Sequence, residues 1–363
     1  MSHLPKSSRL ILPHTAMSVR RYEAQENVSF PARIWSQTLK YEDPISVYIH
    51  VPFCERRCPF CRFYSVNEEG EEERLRFLVA LEKELLLVNS LIDFARLNIE
   101  SLSIGGGTPF ELSVSHLTTL LTMLEGHLNV HGADTIEYCM EINPHDVTRP
   151  YFAEKLELLR SFNVNRLSFG AQSFDDQVLK VNGSRHTATE VTECLRIARE
   201  YGFRNVNIDL LYGLTNQSRQ SWRDTLQRAC ELHPEHISLF SLKKGIWRVF
   251  AETRCTNRRD EDMSPWIPLA ERCLGDNGYI EYFPMTFVCN MKYAYKYETN
   301  TFVCKKTVLG FGPGSITWAG QFCYRNVRNL TVYKELLDSC TLPIDTNTIH
   351  YPCDNFLSRL AYF

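Results

Sequence analysis

Between Ser46 and Leu242 the chain repeats one pattern: a short apolar run, then a stretch whose apolar residues recur at helical spacing. Strands are predicted at Ser46–Val51, Ile99–Ile104, Thr135–Ile142, Arg166–Phe169, Asn205–Leu211 and His236–Leu242. Helices are predicted between them, at about Glu71–Ser90, Ser113 or Ser115 to Leu128, Arg149–Phe162, Ala188–Tyr201 and Ser218–Leu232. In the first helix Leu75, Leu78, Val79, Leu85 and Val88 supply the apolar stripe, and charged residues fill the other face. Successive strands lie roughly 30–50 residues apart, the length of a right-handed βαβ step. Repeated steps of this kind build a parallel sheet, open or closed. In parallel barrels the site lies at the C-terminal strand ends.

The conspicuous motifs of this chain sit at or near such ends. After the first strand comes Cys54-Glu-Arg-Arg-Cys58-Pro-Phe-Cys61, three thiols within eight residues on one loop. Thiolate is the soft ligand that iron–sulfur clusters and zinc select. A structural zinc site wants four closed ligands, whereas a [4Fe–4S] cluster held by three cysteines keeps one iron free for a ligand. After the second strand stands Gly105-Gly106-Gly107-Thr108-Pro109. It reads as a tight turn, or as bare backbone that an amino acid could approach. Glu141, near the end of the third strand, is either a solvated strand-end carboxylate or a ligand for a ribose or ammonium group. Gln172 follows the fourth strand. Asp209 lies between apolar neighbours late in the fifth and needs a partner, either a ribose hydroxyl or a neighbouring arginine. Tyr48 and His50 share one face of the first strand.

Outside this alternation the chain is less regular. Pro5, Pro13, Pro31 and Pro44 punctuate residues 1–45, which read as an arm packed over residues 46–243, the core. Residues 244–363 read as a smaller α+β domain covering the barrel mouth. It has predicted helices near Pro265–Gly275 and Leu330–Ser339, a region rich in Tyr, Phe and Cys, a glycine-rich turn at Leu309–Ile316, and a last helix within Asp354–Phe363. The net charge of -3 carries no nucleic-acid footprint. No apolar run has transmembrane length, and Met1–Ser18 has no apolar h-region of a secretory signal. The expected location is therefore cytoplasmic, where the thirteen cysteines stay reduced. The ten outside the loop form no close cluster and read as small core hydrophobes.

Taken in order, several motifs resemble the anaerobic coproporphyrinogen III oxidase family of radical S-adenosylmethionine (SAM) proteins. They are Tyr48-Ile-His-Val-Pro-Phe-Cys54, Gly105–Pro109, Glu141-Ile-Asn-Pro144, Asn165–Phe174, Asn207–Leu214 and Leu309–Gly314. The resemblance spans about residues 46–340. It implies a partial (β/α)6 TIM-like barrel and a [4Fe–4S] cluster on Cys54, Cys58 and Cys61. It implies one SAM against Tyr48, Phe60, Gly106, Glu141 and Ile316. In members that bind two, the second faces Gly107, Thr108, Gln172 and Asp209. The family's next SAM-contacting arginine falls near Ser184-Arg185, where the match is shifted by one residue. A flavodoxin- or ferredoxin-type donor is implied as the source of the electron that cleaves SAM.

The family contains oxidases, heme chaperones, heme-degrading methyltransferases, and class C methyltransferases and cyclopropanases. The oxidase pattern has a fourth cysteine where this chain has Phe63. That difference, with Gln172 and Asp209, leads to an expectation of class C methyl or methylene transfer to a small unsaturated molecule. Coproporphyrinogen decarboxylation, another tetrapyrrole reaction and heme carriage without turnover are the alternatives. The chain stops where many relatives continue, which predicts a short substrate lid.

Overall fold

The computed structural model describes residues 29–67, 70–128, 130, 136–242 and 266–350. Residues 1–28 of the expected arm and the expected helix within Asp354–Phe363 lie outside the described residues. Helix α1 (Ser29–Thr38) precedes β1 (Pro44–Val51), and the cysteine loop lies between β2 (Phe53–Cys54) and β3 (Val66–Asn67). The barrel then runs α2 (Glu71–Asn89), β4 (Asn98–Gly106), α3 (Val114–His127), β5 (Glu137–Ile142), α4 (Phe152–Ser161), β6 (Arg166–Gln172), α5 (Asp176–Val181), α6 (Ala188–Glu200), β7 (Val206–Tyr212), α7 (Arg219–Glu231) and β8 (His236–Ser241). Next come α8 (Trp266–Asp276), β9 (Ile280–Phe283), β10 (Thr286–Val288), α9 (Lys296–Glu298) and a π turn at Thr299–Val303. The last elements are β11 (Val308–Phe311), β12 (Ile316–Ala319), β13 (Phe322–Asn326), α10 (Leu330–Asp338) and β14 (Ile344–His350).

Strands β1 and β4 to β8 are parallel neighbours in that order, the six steps of a partial (β/α)6 barrel. The C-terminal third extends the same sheet at both edges. Strand β11 pairs parallel with β1, and β12, β13 and β14 follow antiparallel. At the other edge β10 and β9 add antiparallel to β8.

The period of two in the strands separates two environments. Outward residues such as Val47, Ile49, Val51, Met140, Phe169, Ile208 and Leu239 are buried against the helices in one apolar core. Each fully buried aliphatic or aromatic side chain there contributes about 1.5–3 kcal/mol. Inward residues are polar on every barrel strand: Ser46, His50, Ser103, Glu137, Glu141, Arg166, Ser168, Asn207, Asp209, His236 and Ser238. The lumen is therefore a hydrogen-bonded chamber, unlike the apolar filling usual in parallel barrels.

Three differences from the predicted elements have local causes. Helix α4 begins at Phe152, because Arg149 precedes Pro150 and takes an extended conformation (φ -83, ψ 140). Helix α5 is an extra short turn, capped where the Asp175 carboxylate accepts from the Gln177 and Val178 N–H groups. The segment Tyr295–Asn300 enters the lumen and contacts β1, β4 and β5. Its Lys296 N–H donates to Glu137 (2.7 Å), the Tyr295 hydroxyl to Ser103 (2.8 Å) and Asn300 to Ser46 (3.1 Å).

Candidate active site

Cys54, Cys58 and Cys61 line one cavity at the C-terminal rim of the barrel, and none is in a disulfide. Burial pushes Cys54 and Cys61 up to about 11 and raises Cys58 as well. Thiols so placed keep their protons until a cation displaces them. Among the described residues no three His, Cys, Asp or Glu side chains converge tightly enough for a single metal ion. A cubane cluster is broader than one ion, so three sulfurs spread around a cavity match it better than a point of convergence.

The glycine turn lines the same cavity. A Cβ on Gly106, which sits at φ +112, would lie 2.7 Å from the His50 ring. One on Gly105 would lie 2.4 Å from the Glu141 carboxyl. The Gly106 N–H donates to Glu141 Oε2 (3.2 Å), and Thr108 Oγ1 stands 3.7 Å from Cys54 Sγ. This is a backbone cradle beside the thiols, with no room for a side chain, and it fits the close approach of an amino-acid head group.

His50 stands behind the turn. Its Nε2 is 2.8 Å from the Tyr64 carbonyl and must donate there. Nδ1 is then the acceptor facing the Tyr48 hydroxyl at 3.4 Å. Burial lowers its pKa to about 4, so the ring is neutral and structural. Glu141 is pushed up to about 7, first by burial and then by the neighbouring Asp209 carboxylate. Burial dominates at Asp209 and raises its pKa, although the buried Arg166 guanidinium lies close enough to favour its charged form. Asp209 accepts from Asn207 Nδ2 (2.7 Å) and Ser168 Oγ (3.1 Å) while lining the cavity. Gln172 lines it too, at φ +65, a strained conformation of the kind that persists where surrounding structure enforces it. Phe60, Gly107 and Thr108 complete the set on this side.

Tyr48 and Ile316 line a second cavity, which shares Phe63, Glu141, Phe240, Tyr295 and Glu298 with the first. The two are chambers of one site. All twelve residues singled out from sequence line one chamber or the other. Arg185 lines neither, and its guanidinium is engaged by Glu55 and Glu111.

Sequence reasoning missed the walls of the second chamber. Tyr295, Tyr297 and Phe302 give it aromatic lining, and Arg62, Arg325 and Arg328 line it too. The only signal had been the aromatic richness of the C-terminal third. Glu298 lies between the chambers and accepts from the Tyr282 hydroxyl at 2.8 Å. That hydroxyl is also 2.8 Å from His236 Nε2, and His236 Nδ1 is 2.6 Å from Asn207 Oδ1. One hydrogen-bonded chain thus joins Glu298 to Asp209 beneath the site. Burial raises Glu298 to about 7.

The radical SAM superfamily model matches residues 48–229, half of the chain, and spans the cysteine loop, the glycine turn and strands β4 to β7 of the barrel. The chain belongs to the radical SAM superfamily. Membership implies a [4Fe–4S] cluster and SAM as cofactors, and the thiol set and bare glycine cradle fit both. Within the superfamily it is related to the coproporphyrinogen III oxidase group. It is 29% identical over 320 residues to the oxygen-independent coproporphyrinogen III oxidase of Helicobacter pylori (strain ATCC 700392 / 26695), covering 85% of this chain and 69% of that protein. It is 37% identical over 199 residues to the heme chaperone HemW of Bacillus subtilis (strain 168), covering 54% of this chain and 50% of that protein. The match therefore spans half the length of the chaperone. The structure of coproporphyrinogen III oxidase (HemN) from Escherichia coli superposes with a TM-score of 0.75 at 24% identity, over 91% of this chain and 76% of that one. This radical SAM chain thus shares that fold. No helix among its described residues is long and apolar enough to cross a membrane.

Proposed function

We propose that this chain is a radical SAM enzyme acting on a carboxylate-bearing tetrapyrrole, by a decarboxylation like that of the oxygen-independent coproporphyrinogen III oxidases. The observation that carries this reading is the second chamber. Tyr295, Tyr297 and Phe302 line it together with Arg62, Arg325 and Arg328, and it shares part of its lining with the chamber of the three thiols. Aromatic faces suit an unsaturated ring system, and guanidinium forks suit carboxylate side chains. Cys54, Cys58 and Cys61 would hold the cluster, which when bound would supply the one-electron reduction by which SAM is cleaved. Tyr48, Phe60, Gly106, Glu141 and Ile316 are the residues proposed to hold SAM against it. Gly107, Thr108, Gln172 and Asp209 would orient a second SAM where one binds.

The class C methyl transfer preferred from sequence yields to this reading. It rested on Phe63, Gln172 and Asp209, and Gln172 and Asp209 line the thiol chamber whichever reaction follows. A relative matched over most of the chain is an oxidase. Heme carriage without turnover is the second reading, favoured by Phe63 in place of the oxidases' fourth cysteine and by the likeness to a heme chaperone. The division at residues 45 and 243, a cytoplasmic location and a flavodoxin- or ferredoxin-type donor belong to the same proposal.

The test is anaerobic. The protein is loaded with iron and sulfide, reduced and given SAM, with and without coproporphyrinogen III. Expected are 5′-deoxyadenosine and carbon dioxide that depend on porphyrinogen and vanish in Cys58→Ala. S-adenosylhomocysteine without carbon dioxide would return the methyl-transfer reading. Stoichiometric heme binding with no deoxyadenosine from a loaded cluster would select the carrier.

A further inference from the structure

Three loops meet on the outer side of the cysteine loop, joined there by a cluster of ion pairs and backbone hydrogen bonds. Glu55 is the first residue after Cys54, inside the motif itself. Its carboxylate accepts from Arg185 Nη1 at 2.6 Å and also pairs with Arg149. Its backbone N–H donates to the carboxylate of Glu111, from the short turn that follows the glycines. Arg185 reaches across to that same Glu111. The side chains of Arg185 and Glu111 are only 8% and 7% exposed, so their charges are withdrawn from water and depend on each other. Arg74 Nη1 adds a hydrogen bond to the Glu111 carbonyl at 3.0 Å.

The backbone beside Arg185 is fitted to the same loop. Gly183 sits at φ +77, and a Cβ there would lie 2.8 Å from Pro59 Cδ. Pro59 directly follows Cys58, so the Gly183 backbone packs against the proline ring beside the second thiol. Arg56 returns a hydrogen bond to the Gly183 carbonyl at 3.1 Å. The segment Gly183–Arg185 is thus latched to the cysteine loop at Glu55, Arg56 and Pro59, spanning Cys54 to Cys58.

We propose that Arg185 is a positioning residue that holds the cysteine loop in its cluster-binding conformation, by clamping Glu55 to Glu111, and that it is not a SAM contact. The proposal rests on superfamily membership and is independent of the substrate. Its physical basis is loop entropy. The three thiols must be held around one cluster before it binds. Phe60 anchors the end of the loop in a small apolar cluster, but the stretch Glu55-Arg56-Arg57 between the first two thiols is exposed and charged and has no such anchor. The buried pair between Arg185 and Glu111 supplies that order from outside the site.

The experiment reads the iron-free protein as well as the loaded one. Reduced protein is alkylated with iodoacetamide without oxygen, and each cysteine is followed by mass spectrometry. Removing a charge-assisted hydrogen bond from a buried pair opens the loop more often, so Arg185→Met should speed alkylation of Cys54, Cys58 and Cys61 about tenfold. Buried Cys139 and Cys194 should keep their rates. Iron bound per chain after reconstitution should fall, with Arg185→Lys intermediate. Glu55→Gln should act in the same direction, and the double variant Glu55→Gln/Arg185→Met should fall short of the product of the two. Unchanged alkylation with full iron loading would overturn the proposal, as would equal acceleration of every cysteine. Weakened SAM binding by a normally protected, fully loaded Arg185→Met protein would also overturn it, and would make Arg185 a ligand contact.

Discussion

Replacing Glu84 with glutamine should remove a pH-dependent share of the stability. Glu84 lies on α2, 2% exposed, behind the glycine-rich turn that carries Ile316 into the site. Its Oε2 accepts from the Gly312 N–H (2.8 Å) and the Tyr333 hydroxyl (2.5 Å), and its Oε1 from Asn326 Nδ2 (2.6 Å). These donors favour the ionised form, yet burial outweighs them and raises the pKa from 4.5 to about 7. Over that interval the folded chain binds a proton that the unfolded chain releases. The stabilisation is fully present below about pH 4.5 and is lost as pH rises through 7. At 1.36 kcal/mol per pH unit this amounts to about 2.5 kcal/mol between pH 5 and pH 8. Glutamine does not titrate, and its lost acceptor costs roughly 1–3 kcal/mol at every pH. The stability advantage of the wild type over Glu84→Gln should therefore shrink by about 2.5 kcal/mol between pH 5 and 8. Urea unfolding of the iron-free, reduced protein at several pH values measures that difference. A difference constant to within about 0.5 kcal/mol would refute the reasoning.

Other consequences are local to the site. Gly106→Ala should lower SAM affinity of the loaded protein at least about tenfold, since its φ and the His50 ring leave no place for a Cβ and the strain costs about 1–3 kcal/mol; equilibrium dialysis with unchanged affinity would dismiss the cradle. Arg328→Met should weaken binding of coproporphyrin III about tenfold, from the roughly 1.5–3 kcal/mol of a charged hydrogen bond. The tetramethyl ester, titrated by fluorescence in parallel, should bind both proteins alike. Glu298 is neutral below about 7 and ionised above. Binding of a polycarboxylate should therefore weaken as pH rises through 7, and Glu298→Gln should flatten that profile. A profile identical in the two proteins would show that this carboxyl does not face the ligand.

The barrel was readable because each βαβ step carries its own evidence. The apolar runs, helical stripes and turn residues at 46–242 act over a few neighbours, and five of the predicted helices and six strands recur within a few residues. Their ends moved for local reasons, as with Arg149 before Pro150. Strands β9 to β14 were not read. Most are short, β10 to β12 are buried along their whole length and so show no period of two, and their pairing depends on partners up to some 260 residues away, such as Val308 beside Ser46. The site divides in the same way. Contiguous motifs disclosed the thiols, the glycine cradle, Glu141 and Asp209, whereas Tyr295, Glu298, Arg325 and Arg328 carry no motif and reach the chamber only through the packing of the C-terminal third against the barrel.

By itself the sequence determined the chemistry on offer. Thiol spacing and glycine content are properties of a few adjacent residues, and a βαβ order sends them all to one rim. The tertiary structure decided what that chemistry faces. It turned the polar face of every barrel strand inward and brought aromatic and arginine residues from the C-terminal third beside the thiols. It also committed Arg185, which the family resemblance had placed near SAM, to the outer side of the cysteine loop. A side chain's role there follows from which charges lie within a few ångströms of it, and that distance is set by folding.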